Sequence, residues 1–231
     1  MAKPFSSRSL GFNLRFQIHA VGGRISDSSF NTSNRLTFSL FRDSNSSGQA
    51  GQSPSALAGP ATVAGGLIAN AIAVGGTHSC AVGTVAAAPG VYCWGDRSSG
   101  QLGDGLTSPN VAVPALASQL APVAGTADRL LAGRAHTCAA RGASGEVSCA
   151  GADLSLQAGL SPPAATVLKG PVISLGAPVV GLFGGEDRGC ALTPGVTPGA
   201  AVLSCWGAND RGQLGDGSAL PTATPVHPRP F

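Results

Sequence analysis

The chain has 231 residues, 34 glycines, 17 prolines and a formal net charge of +3, and 11% of it is charged against about 25% in an ordinary globular protein. That length suffices for one domain or two small ones with a real core, and so much glycine and proline favours short strands and many turns over long helices. The class expected is all-β, and with no run of 18 apolar residues there is no expectation of a helical membrane span.

Residues 1–58 form a head of distinct texture, rich in serine and asparagine and holding six of the eight phenylalanines. It is also the basic part: residues 1–45 carry Lys3, Arg8, Arg15, Arg24, Arg35 and Arg42 against Asp27 and Asp43. The remainder is close to neutral, which excludes the clustered cations that nucleic-acid binding needs. A solvated or unprocessed terminus accounts for the basic head. Leu14–Ile18 and Leu36–Leu40 alternate with period two, as half-buried strands do. After Lys3 and Arg8 the apolar stretch is broken by Asn13, Arg15 and Gln17, so the start does not read as a signal peptide.

Residues 59–231 carry a repeat. Cys93-Trp94-Gly95-Asp96-Arg97-Ser98-Ser99-Gly100-Gln101-Leu102-Gly103-Asp104-Gly105 returns as Cys205-Trp206-Gly207-Ala208-Asn209-Asp210-Arg211-Gly212-Gln213-Leu214-Gly215-Asp216-Gly217. A worn copy between them keeps Cys149, Gly151, Gln157 and Gly159, with Ala150 where tryptophan would stand. Each copy follows an apolar run, a glycine turn and another cysteine, at Cys80, Cys138 and Cys190. A recurring spacing with drifting residues is the mark of a structural repeat. In the first copy, Pro60–Val63 is expected as an outer strand and Ala71–Val74 as the next. Ser79–Val82 and Val91–Trp94 form a central pair, and the loop from Gly95 to Gly105 crosses to the following unit. The proline-rich runs at Pro109–Pro114, Pro162–Pro163 and Pro221–Pro230 are expected between units.

The six cysteines fall into the pairs Cys80/Cys93, Cys138/Cys149 and Cys190/Cys205, whose intervening lengths of 12, 10 and 14 residues differ only in steps of two. Side chains in a strand alternate faces, so lengthening a hairpin symmetrically keeps both cysteines on one side, within disulfide reach. Three cross-strand disulfides are the reading. Zinc is the rival, but it wants four clustered ligands at short spacing, and no CxxC occurs. Disulfides point to an extracytoplasmic compartment. Set against the missing leader, they imply a start further upstream or a longer exported chain.

The pattern resembles the regulator-of-chromosome-condensation repeat in its cysteine-paired bacterial form. The family signature runs from glycine and histidine through an apolar segment to cysteine-tryptophan-glycine and glycine-glutamine-leucine-glycine. The resemblance implies a β-propeller of short four-stranded blades. Here that means a partial propeller, an open arc of three clear blades. A fourth, degenerate blade is foreshadowed in the head, where Ser46–Gly51 echoes Ser98–Gly103 and Ala20–Gly23 echoes Ala73–Gly76. Family propellers resemble seven-bladed rings, so an isolated arc is expected to self-associate or to require further blades.

The repeat residues read as structural. Trp94 and Trp206 are expected to pack between blades, and Ala150 to leave the middle blade less well supported. His78 and His136, with Arg188 at the matching place, are expected to tie a strand end to its loop. Gln101 and Gln213 are expected to bond loop backbone. Gly95, Gly100, Gly103, Gly207, Gly212 and Gly215 would allow positive φ or close approach. Asp104 and Asp216 offer too few oxygens for calcium and read as turn formers. Asn31 and Asn45 open glycosylation sequons. No nucleophile elbow or phosphate-cradling motif occurs, so no catalytic residue, cofactor or metal is assigned. The function expected is extracytoplasmic protein binding without catalysis. Its rivals are a secreted inhibitor resembling the β-lactamase-inhibitor propellers and a guanine-nucleotide exchange factor-like protein.

Overall fold

A computed structural model describes residues 18–20, 24–30, 36–41, 45–53, 61–120 and 127–229. Among these there is no α-helix, only single 3-10 turns at Ser118–Leu120 and Gly142–Ser144. The run Leu14–Ile18 lies almost wholly outside the described residues, as do Asn31 and the terminal Pro230.

Among the described residues the head supplies three strands, and a fourth follows it directly. β1 (Ile18–Ala20) joins the sheet of the first cysteine-bearing blade, while β2 (Arg24–Phe30) pairs antiparallel with β3 (Leu36–Phe41), and β3 with β4 (Ala61–Thr62). The first cysteine-bearing blade follows with β5 (Ile68–Val74), β6 (His78–Val85), β7 (Ala88–Gly95) and β8 (Val111–Leu116), antiparallel in sequence order. The second contains β9 (Arg129–Ala132), β10 (His136–Arg141), β11 (Glu146–Gly151) and β12 (Val172–Ser174). The third contains β13 (Gly181–Gly185), β14 (Arg188–Pro194), β15 (Ala201–Gly207) and β16 (Thr222–Val226).

The first strand of each unit lies at the hub. β1 runs parallel to β5, with Ile18 opposite Ile72 and Ala20 opposite Val74, and β5 adjoins β9, which adjoins β13. The turns after these strands are bonded across blades: Gly76 N–H reaches the Gly133 carbonyl at 3.1 Å, and Arg134 N–H reaches that of Glu186 at 2.7 Å. Strands therefore step outward from a common axis. This is a partial β-propeller.

Alternation along the central strands divides the core into layers between blades. Ala81, Tyr92 and Trp94 face one cluster with Val63, Leu67 and Ile72, whereas Cys80, Val91 and Cys93 face another with Leu130, Ala139 and Ala150. Trp206 belongs to a third cluster with Cys138, Cys149, Val147 and Leu182. The first and second blades thus turn their disulfides toward the next blade, and each blade turns its tryptophan position toward the sheet before it.

Two expectations are corrected. The loop after Gly95 reaches over the second blade, but the chain then returns to its own sheet as β8, paired at Tyr92–Leu116 and Gly95–Val111. Pro114 and Pro225 accordingly lie inside the outermost strands β8 and β16, not between blades. One side of an outermost strand has no neighbour to bond, so a missing amide donor costs nothing there, and proline also blunts the edge.

The β6–β7 hairpin turns on Ala86 and Ala87, both left-handed at φ 48° and 67°. A Cβ in that region costs on the order of 1 kcal/mol per residue, and Asn-Gly suits such a turn best. Ala86→Asn with Ala87→Gly is expected to stabilise the protein by about 1 kcal/mol, net of the added glycine entropy. A urea midpoint that fails to rise would contradict that geometry.

Candidate functional site

The residues singled out by the repeat converge on the seams between blades and on the loops that cap them. The three disulfides join directly opposed residues of the central strands, Cys80–Cys93, Cys138–Cys149 and Cys190–Cys205, with Cα atoms 4.0–4.1 Å apart. No described cysteine is free.

Four loops share one hydrogen-bonded form, including one in the head. Gln49, Gln101, Gln157 and Gln213 each accept through Oε1 from the amide two residues earlier, at 2.8–3.0 Å. The residue before each glutamine is left-handed: Gly48, Gly100, Leu156 and Gly212. Asn45, Asp153 and Asn209 accept through Oδ1 from the amide five residues on, at 2.6–2.9 Å. Burial raises the Asp153 pKa above the ordinary carboxylate value, while those amides pull it back. In the first blade Arg97 takes that place and pairs instead with Asp104 at 3.1 Å, both side chains nearly enclosed. Asp104 and Asp216 receive the amides two residues on, as turn formers do. Asn45 is buried in its loop and donates to the Ser53 carbonyl, so its sequon is closed in the folded protein.

These loops carry the seam. The Gln49 carbonyl accepts from Trp94 Nε1 at 3.0 Å and from Ser79 Oγ at 2.8 Å. The Gln101 carbonyl accepts from Thr137 Oγ1 at 2.7 Å, and the Gln157 carbonyl from Trp206 Nε1 at 3.1 Å. Every seam keeps its acceptor satisfied, but with different donors. Ala150 therefore does not leave its seam unbonded, because Thr137 supplies the donor, and Leu102, Ala117 and Leu120 fill the cluster around it. At the third blade the roles reverse: Gly189 replaces the hydroxyl, and a Cβ there would overlap the Trp206 ring.

The histidines act differently from the expectation. His78 does not tie its own strand to its own loop; its Nε2 meets Thr137 Oγ1 of the next blade at 2.8 Å. Because Thr137 donates to Gln101, His78 must donate to Thr137, which places its proton on Nε2. Neither ring nitrogen of His136 has a protein partner, since Gly189 stands where the next hydroxyl would be. Gly75 and Gly133 are required beneath these rings, because a Cβ at either would overlap the imidazole. Burial lowers the pKa of His78 to about 4 and that of His136 to about 3. Thr137→Val removes one methyl-sized hydroxyl yet strands both His78 Nε2 and the Gln101 carbonyl. A loss of about 2–4 kcal/mol is expected in chemical denaturation, against less than about 0.5 kcal/mol for an exposed threonine such as Thr166.

Sequence reasoning passed over Ser79 and Thr137, although a hydroxyl directly before the cysteine in two copies was a usable signal. It also passed over a cleft of about 390 Å³ between the second and third blades, lined by Arg134, Glu186, Asp187, Arg188, Asp210 and Arg211 among others. Among the described residues, no group of three His, Cys, Asp or Glu side chains is placed to hold a metal ion.

No family model and no curated relative matches the chain. Solved structures do. Human WBSCR16 is similar over 96% of this chain and 55% of its own, at TM-score 0.69 and 17% identity. Yeast RCC1 (Prp20), in complex with Kap60, is similar over 84% and 45%, at TM-score 0.67 and 15% identity. The fold is that of a regulator-of-chromosome-condensation propeller. Prp20p of Saccharomyces cerevisiae solved alone agrees, at TM-score 0.65 and 15% identity over 85% of this chain. The chain spans about half the length of these propellers. Its three disulfide-bearing blades each contain four antiparallel strands, the first with β1 added in parallel at its inner edge.

Proposed function

We propose that this propeller arc is an extracytoplasmic protein-binding module without catalysis. The observation that carries the reading is the disulfide at the centre of each of three blades, fully buried in the first two, which suits an oxidising compartment. Loops held by their own hydrogen bonds on a rigid scaffold suit recognition, and they bring together no nucleophile, base and orienting group. The head belongs to the same module as a degenerate blade: β2 and β3 build a three-stranded antiparallel sheet with β4, and the Asn45–Gly51 loop repeats the hydrogen bonds of the other three.

The test is the thiol state in the source cells, trapped with a maleimide before lysis. No alkylated cysteine is expected, and peptide mapping should return only the three pairs within blades. Free thiols in the living cell would overturn the extracytoplasmic reading. A second reading rests on the likeness to Prp20p, whose structure is described together with its binding to Gsp1p and histones. It predicts faster release of labelled GDP from a small GTPase on adding this chain. Under the first reading no acceleration is expected.

A further inference from the structure

We propose that the cleft between the second and third blades is a docking site for a single carboxylate on a protein partner, gripped by Arg188 with Arg211 at the rim. The inference rests on the protein-binding reading above and names the place and chemistry of contact. In the first blade the corresponding groups satisfy one another: Thr77 donates to Asp96 at 3.1 Å, Gln101 Nε2 donates to Asp96 at 3.0 Å, and His78 is buried against Thr137. In the third blade the same positions hold other residues. Asp187 replaces Thr77, Ala208 replaces Asp96, and Arg188 replaces the histidine. Asp210 and Arg211 replace Ser98 and Ser99.

The consequence is a cleft whose acids are already engaged. Arg134 pairs with Asp187 and, at 3.1 Å, with Glu186, while Asp210 accepts from Gln213 at 2.9 Å. Among the described side chains the Arg211 guanidinium meets only Asp210, at 3.9 Å, and lies 88% exposed. The half-buried Arg188 guanidinium lies over Gly185, where a Cβ would come 3.0 Å from its central carbon, and no described side chain pairs with it. A planar fork of donors held against backbone and lacking an acid fits a carboxylate bidentately. Three carboxylates offset the three arginines of the same cleft, so its lining has no net positive charge to attract an extended polyanion such as nucleic acid, whereas one acidic side chain on a loop can reach between them.

The proposal is tested on the whole 15N-labelled chain by following arginine Nε–H resonances during titration with acetyl-Gly-Glu-Gly-amide. Expected is a saturable shift of the Arg188 and Arg211 signals, absent with acetyl-Gly-Gln-Gly-amide and with matched sodium chloride. Arg188→Lys keeps the charge but not the fork and should weaken binding about tenfold. Arg141→Lys, remote and exposed, should leave binding unchanged, and equal melting midpoints show that both variants fold. An unmoved Arg188 signal, or a shift reproduced by salt, overturns the proposal. So does tighter binding of an oligothymidine than of the peptide. Free thiols in cells would count against the compartment alone, so the two readings fail separately.

Discussion

Replacing Trp206 by alanine is expected to cost about 3–5 kcal/mol, the usual penalty for emptying a fully buried aromatic site. Two losses combine. The indole fills the layer between the second and third blades alongside Cys138, Cys149 and Leu182, and its Nε1–H satisfies the Gln157 carbonyl. The second blade shows how the protein manages without tryptophan: Ala150 stands in that position and Thr137 bonds the facing carbonyl. That solution is transferable. Gly189→Thr alone should destabilise, because its Cβ meets the Trp206 ring. In the Trp206→Ala background the same threonine can reach the Gln157 carbonyl. The double variant should therefore be more stable than the sum of the singles by about 1–3 kcal/mol, within the range for residues in contact. Denaturation midpoints of the four proteins decide it. Additive effects would mean that hydroxyl and indole do not serve one acceptor.

Mild acid should unfold this propeller, and the sign follows from the two buried imidazoles. His78 and His136 take up protons at about pH 4 and about pH 3 when folded, against 6.5 for the free side chain. Burial is the main cause for both; Asp96 works against it at His78, and the neighbouring His78 adds to it at His136. Below pH 6.5 the unfolded chain therefore binds more protons than the folded one, and stability falls as pH falls. Near pH 5 the difference approaches two protons, a slope of about 2.7 kcal/mol per pH unit. The loss is complete only once both histidines are protonated in the fold, near pH 3. Asp153, raised by burial, works in the opposite direction with one proton. Urea midpoints at pH 7, 6 and 5 should drop progressively while the disulfides stay intact. A flat profile from pH 7 to 5 would show that the imidazoles are reached by water.

The local chemistry was legible in the sequence because each piece lies within one hairpin or one loop. Cysteine spacings that differ in steps of two imply cross-strand partners, and the structure opposes those residues directly. The Gly-Gln-x-Gly loop could be read even from the worn Ser46–Gly51 copy, since its hydrogen bonds span at most five residues. The blade count followed from the same repeat. What lies across a seam was not legible. Gln101 and Thr137 are 36 residues apart, His78 and Thr137 are 59, and Gln157 and Trp206 are 49. No local periodicity relates such pairs; only the rotation of one blade against the next brings them together. Hence the histidines were assigned to their own loops, and Ala150 looked like a defect. The prolines were placed between blades because proline argues against a strand, although an outermost strand tolerates it. The cleft at Arg188 is of the same kind. Its arginine is one drifted residue in a repeat, and it acquires a meaning only because the third blade turns it toward Arg134 and the acids that Arg134 occupies.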